Sequence, residues 1–188
     1  MTAPAAPRKS KNRMVWIDCE MTGLDPERHV LLEIATIVTD WDLNVLARGP
    51  ELAIAQSEDV LAGIDTWSRE THTKSGLLDR VRGEGVPLAE AERRTLELVQ
   101  QHCVVRTAPL CGNSIGQDKR FLVKYMPTLH DYLHYRVVDV STLKQLATRW
   151  YGDRFTPPPK RELHRALADI EESIAELAFY RAHLFVQP

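Results

Sequence analysis

A change of rhythm along the chain sets narrow limits on its fold. Over residues 14–54, three runs rich in apolar and β-branched residues follow one another: MVWIDCE, VLLEIATIVTD and NVLARGPELAI. Only turn-like stretches separate them, MTGLDPE after the first and WDLN after the second. They are expected to pair as an antiparallel meander. Residues 57–102 then read as mostly helical, interrupted around 71–76 and 82–85. Pro87 suits a first helical turn, and Leu88, Ala91, Thr95, Leu96, Val99 and Cys103 recur behind it at helical spacing. APLCG and RVVDV are two further strand candidates, each followed by a helix, and Ser141 or Thr142 is placed to cap the second helix. Leu167, Ile170, Ile174 and Leu177 mark a long last helix. Clustered strands followed by alternating helices and strands predict an α/β protein with one five-stranded mixed sheet and helices on both faces.

The chain has 188 residues, enough for one sizeable core. We expect residues 14–188 to form a single domain behind a flexible basic tail over residues 1–13, which holds no acidic residue. No apolar run approaches the roughly 20 residues of a membrane span, so no membrane partner is expected. Lys and Arg total 24 against 26 Asp and Glu, a net charge of −2. That balance argues against gripping long nucleic acid through many phosphates. It leaves room for a substrate with few of them. Cys19, Cys103 and Cys111 are odd in number and widely spaced, with no CxxC. They are expected to be buried thiols in a reducing cytoplasm rather than zinc ligands or disulfides.

Four acids stand out by their setting. Asp18 and Glu20 alternate within the first apolar strand, so they project from one face, about 7 Å apart at the backbone. Two carboxylates side by side near a sheet interior repel each other and lose hydration, and a divalent cation relieves both. The alternative is a pair of surface acids on an exposed strand end. Asp118 follows Gly116 at the start of a helix, where the helix dipole alone would also favour an acid. Asp169 borders the apolar stripe of the last helix, although Glu171 and Glu172 beside it also fit a solvated face. His164 precedes Asp169 by five positions. That is about 140° round a regular helix, so the two can cooperate only if His164 lies in a loop or an irregular first turn. The prolines of FTPPPKREL favour a loop there.

The combination is more specific than its parts: D-x-E in a first strand, an Asp opening a helix, and H-x4-D near the C-terminus. WIDCEMTGLDPE, ETHTKSGL, CGNSIGQDKRFLVKYMP, HYRVVDVSTLK and HRALADIEESIAEL occur in that order. On these segments the chain resembles the DEDDh branch of the DEDD superfamily of 3′→5′ exonucleases, and most narrowly its oligoribonuclease family. The resemblance runs over nearly all of residues 14–184. It implies a ribonuclease H-like exonuclease fold and 3′→5′ hydrolysis of short oligoribonucleotides, including dinucleotides, to 5′-mononucleotides. It also implies that Asp18, Glu20, Asp118 and Asp169 hold two divalent metal ions, Mg²⁺ or Mn²⁺, with His164 as general base.

For the substrate, the resemblance implies contacts from Leu24, wedged against a base, and from Trp67 and His72 in a base- and phosphate-contacting segment. Ser114 would donate to a phosphate, and Tyr135, Arg136 and Ser141 would cap the substrate's 5′ phosphate, with Tyr135 and Arg136 supplied by the partner subunit of a homodimer. Each has a plainer reading: turn packing for Leu24, a core aromatic for Trp67, a helix cap for Ser114 and a surface ion pair for Arg136. Cys19 stands where the family often has Leu and is expected to point away from the acids. Ala168 replaces an acid often found before the last Asp. The competing functional readings are a DNA-directed exonuclease of the same superfamily and a nucleotide-binding module without catalysis.

Overall fold

The computed structural model describes residues 8–158 and 165–186. Its sheet contains β1 (Met14–Met21), β2 (Leu31–Thr39), β3 (Val45–Arg48), β4 (Leu52–Ala53), β5 (Pro109–Gly112) and β6 (His134–Asp139). The continuous order is β3-β2-β1-β5-β6, with β4 pairing β2 off this path. β1 runs antiparallel to β2 and parallel to β5, and β5 runs parallel to β6. The mixed five-strand path is therefore as expected, with one short strand more. That extra strand comes from NVLARGPELAI, which divides into β3 and β4 rather than forming one strand. Pro50 has no N–H to give a ladder. Gly49 sends its N–H to the Thr36 carbonyl at 2.8 Å, and a Cβ on Gly49 would fall 3.0 Å from that same oxygen.

The helices are α1 (Glu58–Ala62), α2 (Thr66–Lys74), α3 (Leu77–Gly83), α4 (Leu88–His102), α5 (Gly116–Tyr125), α6 (Pro127–Tyr132), α7 (Val140–Tyr151) and α8 (Ala166–Leu184). Strand alternation sorts them onto two faces. Val15, Ile17, Cys19 and Met21 of β1 pack in one core with Ala91 and Val99 of α4, Phe121 and Leu122 of α5, and Leu129 of α6. Met14 and Trp16 pack in a second core with Val140 and Ala147 of α7 and Ala166, Ile170 and Tyr180 of α8. A smaller cluster joins Leu32 and Ala53 to α1 and α3 through Leu61, Leu77, Leu78 and Val81. Each large apolar side chain so buried contributes roughly 1.5–3 kcal/mol. β2 is buried along all nine residues, because helices cover it on both sides.

Three local differences from the sequence reading matter. Pro87 occupies the N-cap place of α4 rather than its first turn. α7 is capped by Asp139, whose carboxylate accepts from Ser141 N at 2.9 Å, so neither Ser141 nor Thr142 is the cap. The segment expected to be a tail is joined to the protein at Ser10, which pairs with Cys103 and donates to the His102 carbonyl at 2.9 Å. Residues 1–7 of that segment lie outside the described residues. No described helix is long and apolar enough to cross a membrane. Because β1, β5 and β6 are parallel, their carboxyl ends share one edge of the sheet, the edge at which open α/β sheets commonly bind ligands.

Candidate active site

Asp18 and Glu20 lie at that edge, on the face of β1 covered by α8. Asp169, in the first turn of α8, meets them there: one ligand oxygen from each of the three lies within 4.8 Å of the others. Asp118 arrives from the opposite face. It rides on α5, whose Phe121 and Leu122 anchor it in the other core. Its carboxylate reaches over the end of β1 and accepts from Cys19 N at 3.0 Å. Asp118 is 7% exposed, so it is no ordinary solvated first-turn acid. The Cys19 side chain points into the core as expected, while its backbone N–H holds Asp118. His164 lies outside the described residues, as do residues 159–163 of the proline-rich loop.

Burial and mutual repulsion make Asp18, Glu20 and Asp118 poor anions. Burial first, then the charges of Asp118, Glu20 and Asp169, hold Asp18 well above the usual carboxylate range. Burial, followed by Asp169, Glu33 and Asp118, pushes Glu20 up to about 8. Burial pushes Asp118 up to about 7, against the opposing pull of the Cys19 N–H. Oxygen-only donors, three of them costly as free anions, fit hard divalent cations.

The acids open into a cleft of about 200 Å³ lined by Leu24, Trp67, Ser68, His72, Asn113 and Ser114, among others. Leu24 and Trp67 are 68% and 64% exposed, so neither is a core residue. Trp67 and His72 sit on α2, whose start is fixed by Asp65 accepting from Ser68 N at 2.8 Å. His72 is buried, with Nε2 2.9 Å from the Met21 carbonyl and Nδ1 3.8 Å from Glu20 Oε2. The carbonyl can only accept, so Nε2 carries the hydrogen and Nδ1 faces Glu20. The loop bearing Leu24 turns tightly at Gly23 (φ +157°), where a Cβ would fall 2.2 Å from the His29 ring and 2.6 Å from the Asp65 carboxylate. α5 clamps the loop from the other side. Gln117 Nε2 donates to the Leu24 carbonyl, and Tyr125 OH lies 2.9 Å from the Pro26 carbonyl.

Ser114 and Ser141 meet at the ends of β5 and β6. Ser114 holds a left-handed conformation (φ +50°) that turns its N–H toward Asp139 and Ser141, at 3.0 and 2.9 Å. Its hydroxyl lies 3.1 Å from that of Ser141 and caps no helix. Asn113 and Gln117 are cleft residues that sequence reasoning missed. Asn113 accepts from Ser141 Oγ at 3.0 Å and donates to Ser173 Oγ and Glu176 Oε2 at 2.9 and 3.1 Å. Ser173 in turn donates to the Asp169 carbonyl at 2.8 Å. One polar chain thus links the serines to the helix that carries Asp169. Tyr135 and Arg136 are not brought into this cleft. They stand on the edge strand β6, Tyr135 70% exposed with the Arg136 guanidinium 5.2 Å from its ring centre.

Comparison with known proteins agrees with this geometry. A family model described as an exonuclease of the ribonuclease T type matches residues 15–177. The oligoribonuclease of Aeromonas hydrophila is 56% identical over 176 residues, which cover 94% of this chain and 97% of the relative. That of Escherichia coli K12 is 53% identical over 174 residues, covering 93% and 96%. Among solved structures, exonuclease I from Methylocaldum szegediense matches with a TM-score of 0.69 at 20% identity, covering 92% of this chain and 41% of that one. The zinc-bound complex of E. coli exonuclease I with single-stranded DNA matches with a TM-score of 0.74 at 16% identity, covering 94% and 41%. This chain therefore spans about two fifths of those enzymes, and the likeness to them is one of fold. With more than half of the aligned residues identical to curated relatives along nearly their whole length, the chain belongs to the oligoribonuclease family of the DEDD exonucleases.

Proposed function

We propose that this protein is a 3′→5′ exoribonuclease that hydrolyses short oligoribonucleotides, dinucleotides included, to 5′-mononucleotides. The observation that carries the reading is the convergence of Asp18, Glu20 and Asp169 within 4.8 Å, at the mouth of a cleft walled by an exposed leucine and an exposed tryptophan. The relatives' name supports an RNA rather than a DNA substrate.

Asp18, Glu20, Asp118 and Asp169 would hold the divalent ions, Mg²⁺ or Mn²⁺. When bound, such ions lower the pKa of water and neutralise charge on the phosphate and the leaving oxygen. Trp67 offers a face for one base, and Leu24 separates neighbouring bases. His164 takes the proton of the attacking water. A neutral imidazole does this near pH 7 better than a lone carboxylate. The water oxygen bonds to phosphorus, the P–O3′ bond breaks, and the 3′ nucleotide leaves with its 5′ phosphate. Ser114 lines the cleft and Ser141 is hydrogen-bonded to it, a pair suited to a substrate's terminal phosphate. Tyr135 and Arg136, outside this chain's cleft, would complete the same end of a partner's site in a homodimer. Three free, buried cysteines are consistent with a cytoplasmic setting.

A chain-length series from two to twenty nucleotides, in RNA and in DNA, with Mg²⁺ or with chelator, tests the reading. Metal-dependent release of 5′-mononucleotides, fastest from the shortest RNAs, is expected. A preference for long DNA, or binding without turnover, overturns it.

A further inference from the structure

The start of α8 poses a problem of its own. Its N-cap residue, Arg165, provides no side-chain cap, yet the first N–H groups of a helix need acceptors. Two carboxylates from elsewhere in the chain supply them. Glu33 on β2 accepts from Ala166 N at 3.3 Å, and Glu51, just before β4, accepts from Leu167 N at 3.4 Å. Glu51 also takes the Arg165 guanidinium at 2.9 Å. Arg80 on α3 bridges the pair, bonded to Glu33 and 3.6 Å from Glu51. Glu33 is 1% exposed and stands directly opposite Glu20 in the β1–β2 register. A buried carboxylate beside three others would ordinarily be selected against, because it adds to their repulsion. Arg80 offsets that cost.

We propose that Glu33 and Glu51, held by Arg80, are positioning residues for the reaction: they seat the N-terminus of α8 so that Asp169, one turn in, meets Asp18 and Glu20. The seat uses three separate elements, β2, α3 and the approach to β4. A cap within α8 would fix the helix only to itself, whereas this one fixes it to the sheet that carries the other acids. The inference rests on reading the acidic cleft as the catalytic centre. It concerns which residues set the cleft's geometry.

The test compares Glu51→Ala and Glu51→Gln with Glu58→Ala, which removes a surface partner of Arg82. The Gln variant keeps an acceptor for Leu167 N and guards against misfolding. Three quantities are read in the full-length protein: amide exchange at Ala166 and Leu167 without metal, Mn²⁺ affinity by calorimetry, and kcat and KM on a diribonucleotide. Glu51→Ala is expected to speed exchange at those amides by about fivefold. It is expected to weaken Mn²⁺ binding and kcat by about tenfold, with KM little changed. Glu51→Gln should recover part of each loss, and Glu58→Ala should resemble wild type. Unchanged amide exchange would show that Glu51 does not seat the helix. Faster exchange with Mn²⁺ affinity and kcat within twofold of wild type would leave it a structural cap only. Failure of the wild type to cleave the dinucleotide would instead overturn the exonuclease reading itself.

Discussion

Asp118 and His164 are expected to fail in different ways. Asp118→Asn removes a charge from the ion-holding set and should abolish both Mn²⁺ binding and hydrolysis. His164→Ala should slow hydrolysis by about 10³-fold while Mn²⁺ affinity stays near wild type; single-turnover assays beside calorimetry separate the two. Leu24→Ala and Trp67→Ala act on the substrate instead. Stacking worth roughly 1–3 kcal/mol per base predicts about a fivefold or greater rise in KM for a diribonucleotide with kcat nearly unchanged. A fall in kcat alone would place these side chains outside the binding step. Individual side chains were legible in the sequence where local periodicity decides their direction. Alternation put Asp18 and Glu20 together, and the apolar stripe of α8 put Asp169 at its edge. Asp118 stood out only as an acid opening a helix, and its place beside the other acids came from family resemblance, because it crosses from the other face of the sheet to a backbone N–H 99 residues away. Asn113 was missed because its partners, Ser173 and Glu176, lie 60 and 63 positions further on.

At the level of elements, hydrophobic runs announced the strands and helices, and burial on one or both faces explains why. What escaped was punctuation. Ser141 and Asp139 are both good capping types two positions apart, and only the geometry of β6 decides that Asp139 performs it. The division of β3 from β4 depends on Gly49 lying against Thr36, which no local pattern reveals. The Asn113 chain belongs to this scale, since it couples the ends of β5 and β6 to α8. Asn113→Ala withdraws a donor from the buried Glu176 carboxylate and should cost about 1–3 kcal/mol in denaturant unfolding. The same variant should raise KM more for a 5′-phosphorylated dinucleotide than for its dephosphorylated form, because it frees Ser141 to turn. Equal KM changes for the two substrates would detach the serines from the phosphate.

Across the whole molecule, the raised carboxyls tie stability to pH. Glu20, at about 8, and Asp118, at about 7, hold protons in the folded protein that the unfolded chain has already released. The folded state therefore binds more protons between the ordinary carboxylate range and these values, and stability falls as pH rises through that window. Metal-free protein should lose melting temperature, on the order of 5 °C, between about pH 5 and pH 8, and saturating Mn²⁺ should flatten the profile. A level profile in chelator would contradict the electrostatics of the cleft. The two hydrophobic layers have a consequence of their own. Asp118 is rooted in one and Asp169 in the other, with the sheet as the partition between them. Turnover thus works as an alignment gauge for two independently packed halves. On slow warming, cleavage should fade several degrees before circular dichroism registers any loss of helix.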